Sequence, residues 1–179
     1  MDFIIQTKRL ILRPWHESDL EPFAIMNADP EVMKYFPSLL SKQESDNLAL
    51  RIQEKIAKNK YGFWAVSAPG LCDFIGILGL NHLEKSTFPA PFTPAVEIGW
   101  RLGSPYWNQG FATEGALACL RYDFTKLSLP EIVSFTATQN IKSRSVMEKI
   151  GMHYDPKGDF HHPKIPMEHS LSKHILYLI

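Results

Sequence analysis

Two hydrophobic periods alternate along the chain, and the switches between them mark its elements. Leu48, Ile52 and Ile56 recur every four residues, which predicts a helix over 42–59 with one buried stripe. Ala112, Ala116, Leu120 and Phe124 repeat that spacing, with Leu117 beside them. They predict a core-facing helix over 111–126 with small residues near its start. Leu20, Phe23, Ala24 and Met26 predict an earlier helix, capped by Ser18 or Asp19 and stopped near Asn27-Ala28-Asp29-Pro30. Val146, Met147 and Ile150 face inward on a short helix over 140–150, which Gly151 closes.

Strand-type runs fill the intervals. Arg9-Leu10-Ile11-Leu12-Arg13 is stopped by Pro14. The runs 63–66 and 74–80 flank Ala68-Pro69-Gly70, whose turn chemistry makes them an antiparallel pair. Further strands are expected over 96–102, over the β-branched and aromatic run 132–138, and over 175–179. Pro89, Pro91 and Pro94 make 86–94 an irregular loop, and a second loop with Pro156, Pro163 and Pro166 leads to the last strand. The order β-α-α-β-β-β-α-β-α-β predicts a mixed α/β (α+β) layer architecture with directly joined, antiparallel strands. There is no internal repeat and no low-complexity linker.

Composition narrows the function classes. A chain of 179 residues is expected to form one domain over 1–179 and can bury a sizeable core. Lys+Arg and Asp+Glu are both 19, so no global basic surplus attracts nucleic acid or an anionic membrane. Cys72 and Cys119 stand alone without metal-type spacing and read as reduced thiols of a cytoplasmic protein. The opening Met-Asp-Phe-Ile-Ile-Gln-Thr-Lys-Arg has neither the form of a secretory signal nor that of a transit peptide. No apolar run approaches the roughly 18 residues of a membrane span.

Candidate chemistry centres on Trp107-Asn108-Gln109-Gly110-Phe111-Ala112-Thr113-Glu114-Gly115, between the 96–102 strand and the 111–126 helix. A glycine turn that opens a helix presents unpaired N–H groups at the positive end of the helix dipole, which is a seat for phosphate. Gly110 leaves room for a ligand to approach the main chain. Thr113 offers a hydroxyl, and Glu114 has to point away from any phosphate. No Gly-Lys-Ser/Thr follows, which argues against an NTPase loop.

The order strand, glycine turn, helix, strand and Asn-led helix resembles the GCN5-related N-acetyltransferases (GNAT). Within them it resembles the RimJ/RimL-like group that acetylates ribosomal-protein N-termini. The resemblance runs through Thr7-Lys8-Arg9-Leu10-Ile11-Leu12-Arg13-Pro14, Glu97-Ile98-Gly99-Trp100, the glycine turn and Asn140-Ile141-Lys142-Ser143. Glu148-Lys149-Ile150-Gly151-Met152, His162-Pro163-Lys164-Ile165-Pro166 and His174-Ile175-Leu176-Tyr177 complete it. It implies one GNAT-type domain, with a mostly antiparallel, twisted sheet of about six to seven strands splayed at the cofactor cleft and about four flanking helices. It implies acetyl-coenzyme A as co-substrate and no metal, with an amine acceptor that is a peptide N-terminus or a small molecule. A monomer or homodimer is expected.

The family signature Arg/Gln-x-x-Gly-x-Gly/Ala reads Trp107-Asn108-Gln109-Gly110-Phe111-Ala112 here, so Trp replaces the first Arg or Gln. Pyrophosphate binding then falls to the turn, Asn108 through Thr113, and mainly to its backbone. The resemblance also implies that Ile98, Gly99, Trp100 and Leu102 lie on the strand whose backbone pairs with pantetheine, as an added strand would. By alternation Val96, Ile98, Trp100 and Leu102 share one face, and Glu97, Gly99 and Arg101 the other. Glu97 is either the general base, with its pKa raised by apolar neighbours, or a solvated or salt-bridged strand carboxylate, with Arg101 as a candidate partner. Asn140 is either a pantetheine ligand or the cap of its helix. Ser143 is either the acid that protonates the departing thiolate or an ordinary first-turn serine, and Tyr154 is an alternative acid. Lys142 and Arg144 either meet coenzyme phosphates or are simply solvated, and His82 either lines the acceptor cleft or is a loop residue. His161, His162, His169 and His174 fit no metal motif. Two other functions stay open, a non-catalytic acyl-coenzyme A binding module and a nucleotide-binding protein.

Overall fold

The computed structural model describes residues 5–127 and 129–179. Met1 to Ile4, which open the N-terminal segment read above, and the side chain of Phe124 lie outside the described residues.

Among the described residues, eight strands form one sheet in the order β1-β2-β3-β4-β5-β6-β8-β7. They are β1 (Ile5–Gln6), β2 (Ile11–Arg13), β3 (Phe63–Ala68), β4 (Cys72–Leu83), β5 (Ala95–Leu102), β6 (Val133–Ala137), β7 (His153–His161) and β8 (Lys173–Leu178). Among the same residues, four α-helices flank it: α1 (Leu20–Ala28), α2 (Lys42–Asn59), α3 (Phe111–Tyr122) and α4 (Ile141–Lys149). The mixed, mostly antiparallel sheet expected from the sequence is present.

Alternation builds a core on each face. Leu12, Trp64, Val66, Leu78, Leu80 and Ile98 point toward α3 and α4, where Ala116, Cys119, Leu120 and Met147 meet them. Ala65, Phe74 and Ile77 point the other way, onto Phe23, Met26, Ala49 and Ile52 of α1 and α2. A Cβ on Gly115 would stand 2.7 Å from Leu78 Cδ1, so α3 seats closely on β4 only because the residue there is glycine. The α2 stripe is as predicted, with Ile52 buried and Leu48 and Ile56 packed at its margin. Ser41 and Glu44 begin that helix with a capping box.

Two strands were not expected. β1 is a two-residue pairing at the sheet edge. β7 occupies what the prolines predicted to be a loop. Pro156 is tolerated because β7 is an edge strand, and its pairing with β8 breaks register between Asp155 and Phe160. The helix at 111–126 is α-helical only to Tyr122 and continues as a π-helical segment, Asp123–Leu127.

One junction differs from the rest. β4 and β5 pair continuously, from Gly76 opposite Leu102 to Leu83 opposite Ala95. β5 and β6 run parallel, and Glu97 opposite Val133 is their one register pair among the described residues. Ser134 Oγ donates to the Ile98 carbonyl at 2.9 Å just beyond it. Past that point the strands part, and the gap opens toward the start of α3.

Candidate active site

The gap between β5 and β6 widens into a cleft of about 840 Å³. Its walls are β5, the start of β6, the 107–113 turn and the first turn of α4, and Val32, Tyr35 and Phe36 line it as well. Of the residues expected here, Glu97, Gly99, Trp100, Leu102, Asn108, Gly110 through Thr113, Asn140 and Ser143 line it. Ile98 and Gln109 are not among its lining. Ile98 is fully buried in the core, and Gln109 turns its amide back onto the Pro105 carbonyl at 2.9 Å.

The turn has the geometry of an anion seat. Asn108 and Gly110 both adopt left-handed backbone, with φ 59° and 80°. Gly110 is the N-cap of α3 and provides no side chain to cap it, and the first turn closes from Glu114 N to the Gly110 carbonyl at 2.9 Å. The amides at the helix start are therefore left for a ligand. Glu114 turns away as expected. It accepts from Thr7 Oγ1 at 2.7 Å, from Arg9 N at 2.9 Å and from Arg9 Nε at 2.6 Å. Arg9 also donates to the Gln109 carbonyl and lies 4.6 Å over the Phe111 ring, so it ties the chain before β2 to the turn.

Trp107, the departure from the signature, is held by donation from Nε1 to the Leu102 carbonyl at 2.8 Å. Its ring carries the Lys142 ammonium, 4.3 Å from the centroid. A cation from α4 thus stands beside the turn on an aromatic platform. Arg144 instead reaches back to the Thr138 carbonyl at 3.4 Å.

Asn140 and Ser143 sit where α4 begins. Asn140 Oδ1 accepts from Ser143 N at 3.3 Å, the capping bond, and its Nδ2 donates to Thr136 Oγ1 at 2.9 Å. Ser143 Oγ accepts from Trp100 Nε1 at 3.1 Å, which leaves the hydroxyl proton to be donated into the cleft. Tyr154 is not near this chemistry. It lies exposed on β7 with its hydroxyl donating to Asp159 Oδ2 at 3.0 Å.

Glu97 lies on the opposite face of β5, toward α1 and α2. Its Oε2 accepts from Asn81 Nδ2 at 3.0 Å, and Asn81 Oδ1 in turn accepts from Lys55 Nζ at 2.7 Å. Oε1 leans over Gly99, 3.5 Å from where a Cβ would stand. Burial pushes the carboxyl up to about 7, against the Asn81 hydrogen bond and the Lys55 charge. It makes no ion pair with Arg101, which donates instead to Asn27 Oδ1 at 2.6 Å. Beyond Glu97 a smaller cavity of about 260 Å³ is lined by His82, Phe88, Phe135 and His162 among others. The His162 and His174 rings lie 4.9 Å apart in this aromatic group, and burial first, then His174 and Lys164, bring His162 down to about 4. Cys119 is buried in the core, and its thiol is pushed up by that burial.

The sequence reading missed Asn81 and Lys55 behind Glu97, the Trp107–Lys142 stack and the role of Arg9. All three are contacts between segments far apart in the chain, without a local signal.

A model of the acetyltransferase (GNAT) domain family matches residues 9–153. An FsC-acetyl coenzyme A-N(2)-transacetylase of Aspergillus fumigatus is 30% identical over 154 residues, covering 83% of this chain and 64% of that protein. The chain thus spans just under two thirds of that relative. An uncharacterized N-acetyltransferase of Bacillus subtilis, YnaD, is 31% identical over 148 residues, covering 83% of this chain and 81% of that one. Among solved structures, a GNAT-family acetyltransferase from Bacillus anthracis superposes with a TM-score of 0.78 at 26% identity, covering 99% of this chain and 98% of that one. RimL, a ribosomal L7/L12 alpha-N-protein acetyltransferase solved with coenzyme A, superposes with a TM-score of 0.79 over 99% of this chain and 97% of that one. At 14% identity that likeness is one of fold.

Proposed function

The chain belongs to the GNAT acetyltransferase family, and on that premise we propose that it transfers the acetyl group of acetyl-coenzyme A to a primary amine by direct attack in a ternary complex. The observation that carries this reading is the parting of β5 and β6 after the pair Glu97–Val133, which opens one cleft from the half-buried Glu97 carboxyl to the free amides of α3. The coenzyme-bound RimL structure supports acetyl-coenzyme A as the donor.

The residues present fit that donor. The amides after Gly110 take the pyrophosphate, and Lys142 adds a cation beside it. Pantetheine lies along the exposed edge of β5, within reach of Asn140. In the reaction the amine nitrogen attacks the thioester carbonyl, so that a C–N bond forms and the C–S bond breaks. A backbone N–H of β5 polarises that carbonyl. The amine proton passes to Glu97, directly or through water, and Ser143 or water supplies a proton to the departing thiolate. A carboxyl whose pKa lies near 7 suits the first step, because it is basic enough to accept a proton and still ionised at working pH. The acceptor approaches over Glu97 from the α1–α2 side, and is a peptide N-terminus or a small amine.

The test is release of free thiol from acetyl-coenzyme A by purified protein, across amines and short peptides of varied N-termini. Binding of acetyl-coenzyme A without turnover of any amine would point instead to a sensing module.

A further inference from the structure

Arg101 stands on the acceptor side of the cleft without a counter-charge, and Arg13, which is also partly buried, is held differently. Arg13 is clamped by both oxygens of Asp19, at 2.7 and 2.8 Å. Arg101 Nη1 donates to the neutral amide oxygen of Asn27 at 2.6 Å, and its Nε is buried without an acceptor. Among the described residues no carboxylate pairs with it. The arrangement is nonetheless built. Asn27 is fully buried, and its amide is oriented by donation to Ser45 Oγ at 2.8 Å, which aims its oxygen at the guanidinium. The Phe36 ring covers the guanidinium at 4.0 Å. Burial pushes Arg101 down to about 10, and no acidic neighbour offsets it. A buried charge held by neutral partners is costly unless a ligand completes it.

We propose that Arg101 receives a carboxylate of the acceptor, so that the substrate class is an amine that also bears a carboxylate. This rests on the acetyltransferase reading given above. Glu97 and Arg101 lie on one face of β5 with Gly99 between them, and their Cα atoms are about 13 Å apart along the strand. Glu97 Oε1 leans toward that interval, so a substrate lying across Gly99 presents its amine to Glu97 and its carboxylate to the guanidinium. The planar fork of N–H groups matches a carboxylate in two-point contact. Asn27 and Ser45 act as positioning residues for it.

Two matched pairs of acceptors test this: γ-aminobutyrate against γ-aminobutyramide, and the dipeptide Ala-Glu-amide against Ala-Gln-amide. The first pair represents a small amino acid and the second a peptide terminus with an acidic neighbour. For the native protein, the carboxylate member of at least one pair is expected to show roughly 10- to 100-fold higher kcat/KM, chiefly through KM. Arg101→Met is expected to bring that ratio to near one without changing acetyl-coenzyme A affinity or turnover of the neutral member, and Arg101→Lys to retain part of it. Equal rates within both pairs would overturn the proposal, as would a preference that survives Arg101→Met or a loss confined to coenzyme affinity. If Arg101→Met does not fold, the native ratios and Arg101→Lys decide. Turnover of neutral amines alone sinks only this proposal. Silence with every amine, while acetyl-coenzyme A still binds, sinks the acetyltransferase reading and this inference with it.

Discussion

Asn81 and Glu97 face each other across β4 and β5 as register partners, and the Asn81 amide donates to Glu97 Oε2 at 3.0 Å. The same amide takes the Lys55 ammonium on its other side. A neutral group therefore separates the nearest cation from the carboxyl. Glu97 feels the loss of water more than it feels Lys55, so its pKa rises to about 7 instead of falling.

The rate should follow that carboxyl. A general base works when ionised, so kcat/KM is expected to rise with pH and level off above about 7. Asn81→Ala removes the one hydrogen bond that lowers this pKa and is expected to move the rising limb to higher pH. Glu97→Gln is expected to lower kcat by roughly 100-fold or more, with acetyl-coenzyme A affinity unchanged. A pH–rate profile of the three proteins decides, and an unchanged limb in Asn81→Ala would detach Glu97 from it.

The same carboxyl links stability to pH. Its folded-state pKa of about 7 lies above the ordinary 4.5, so the native state holds this proton more tightly than the unfolded chain. That contribution is complete below 4.5 and is lost as pH rises through 7. Glu97→Gln has no proton to lose. Its Tm relative to the native protein is therefore expected to increase between pH 5 and pH 8, read by thermal unfolding at several pH values.

What the sequence reveals of this site is its local part. The turn at Gly110, the cap at Asn140 and the alternation that sets Glu97 opposite Trp100 all follow from neighbouring residues. The α2 limits follow from Ser41 and Glu44 and from a clear four-residue stripe. β7 was hidden because its proline, Pro156, is harmless only at a sheet edge, and edge position is a property of the whole sheet. The pairing of Glu97 with Arg101, the alternative to a general base, failed for the same kind of reason. Their spacing allowed it, but Asn81 and Asn27, brought in by β4 and α1, claimed the two side chains separately.

Asn140 has two expected roles, and one substitution separates them. Asn140→Ser keeps a good helix cap, so unfolding should be little changed, whereas Asn140→Ala is expected to cost about 1 kcal/mol. Both lose the amide that would meet pantetheine. Both are therefore expected to weaken acetyl-coenzyme A binding severalfold, measured by titration alongside thermal unfolding. Full affinity in Asn140→Ser would make Asn140 a cap alone.

Trp107 departs from the family signature, yet the structure gives it work through Lys142. The Lys142 side chain is exposed and would roam if its ammonium did not rest on the indole, 4.3 Å from the ring centroid. Lys142→Met is expected to weaken acetyl-coenzyme A binding by roughly 10-fold, since a charge-assisted contact to phosphate is lost. That loss should shrink as salt is raised, because an exposed pair is screened. Trp107→Leu keeps the charge but releases it, and is expected to cost severalfold at low salt. The two act through one contact, so the double variant should bind about as weakly as Lys142→Met alone. Titration of the four proteins at low and high salt reads the coupling, and strictly additive losses would show that Trp107 does not hold Lys142 for the coenzyme.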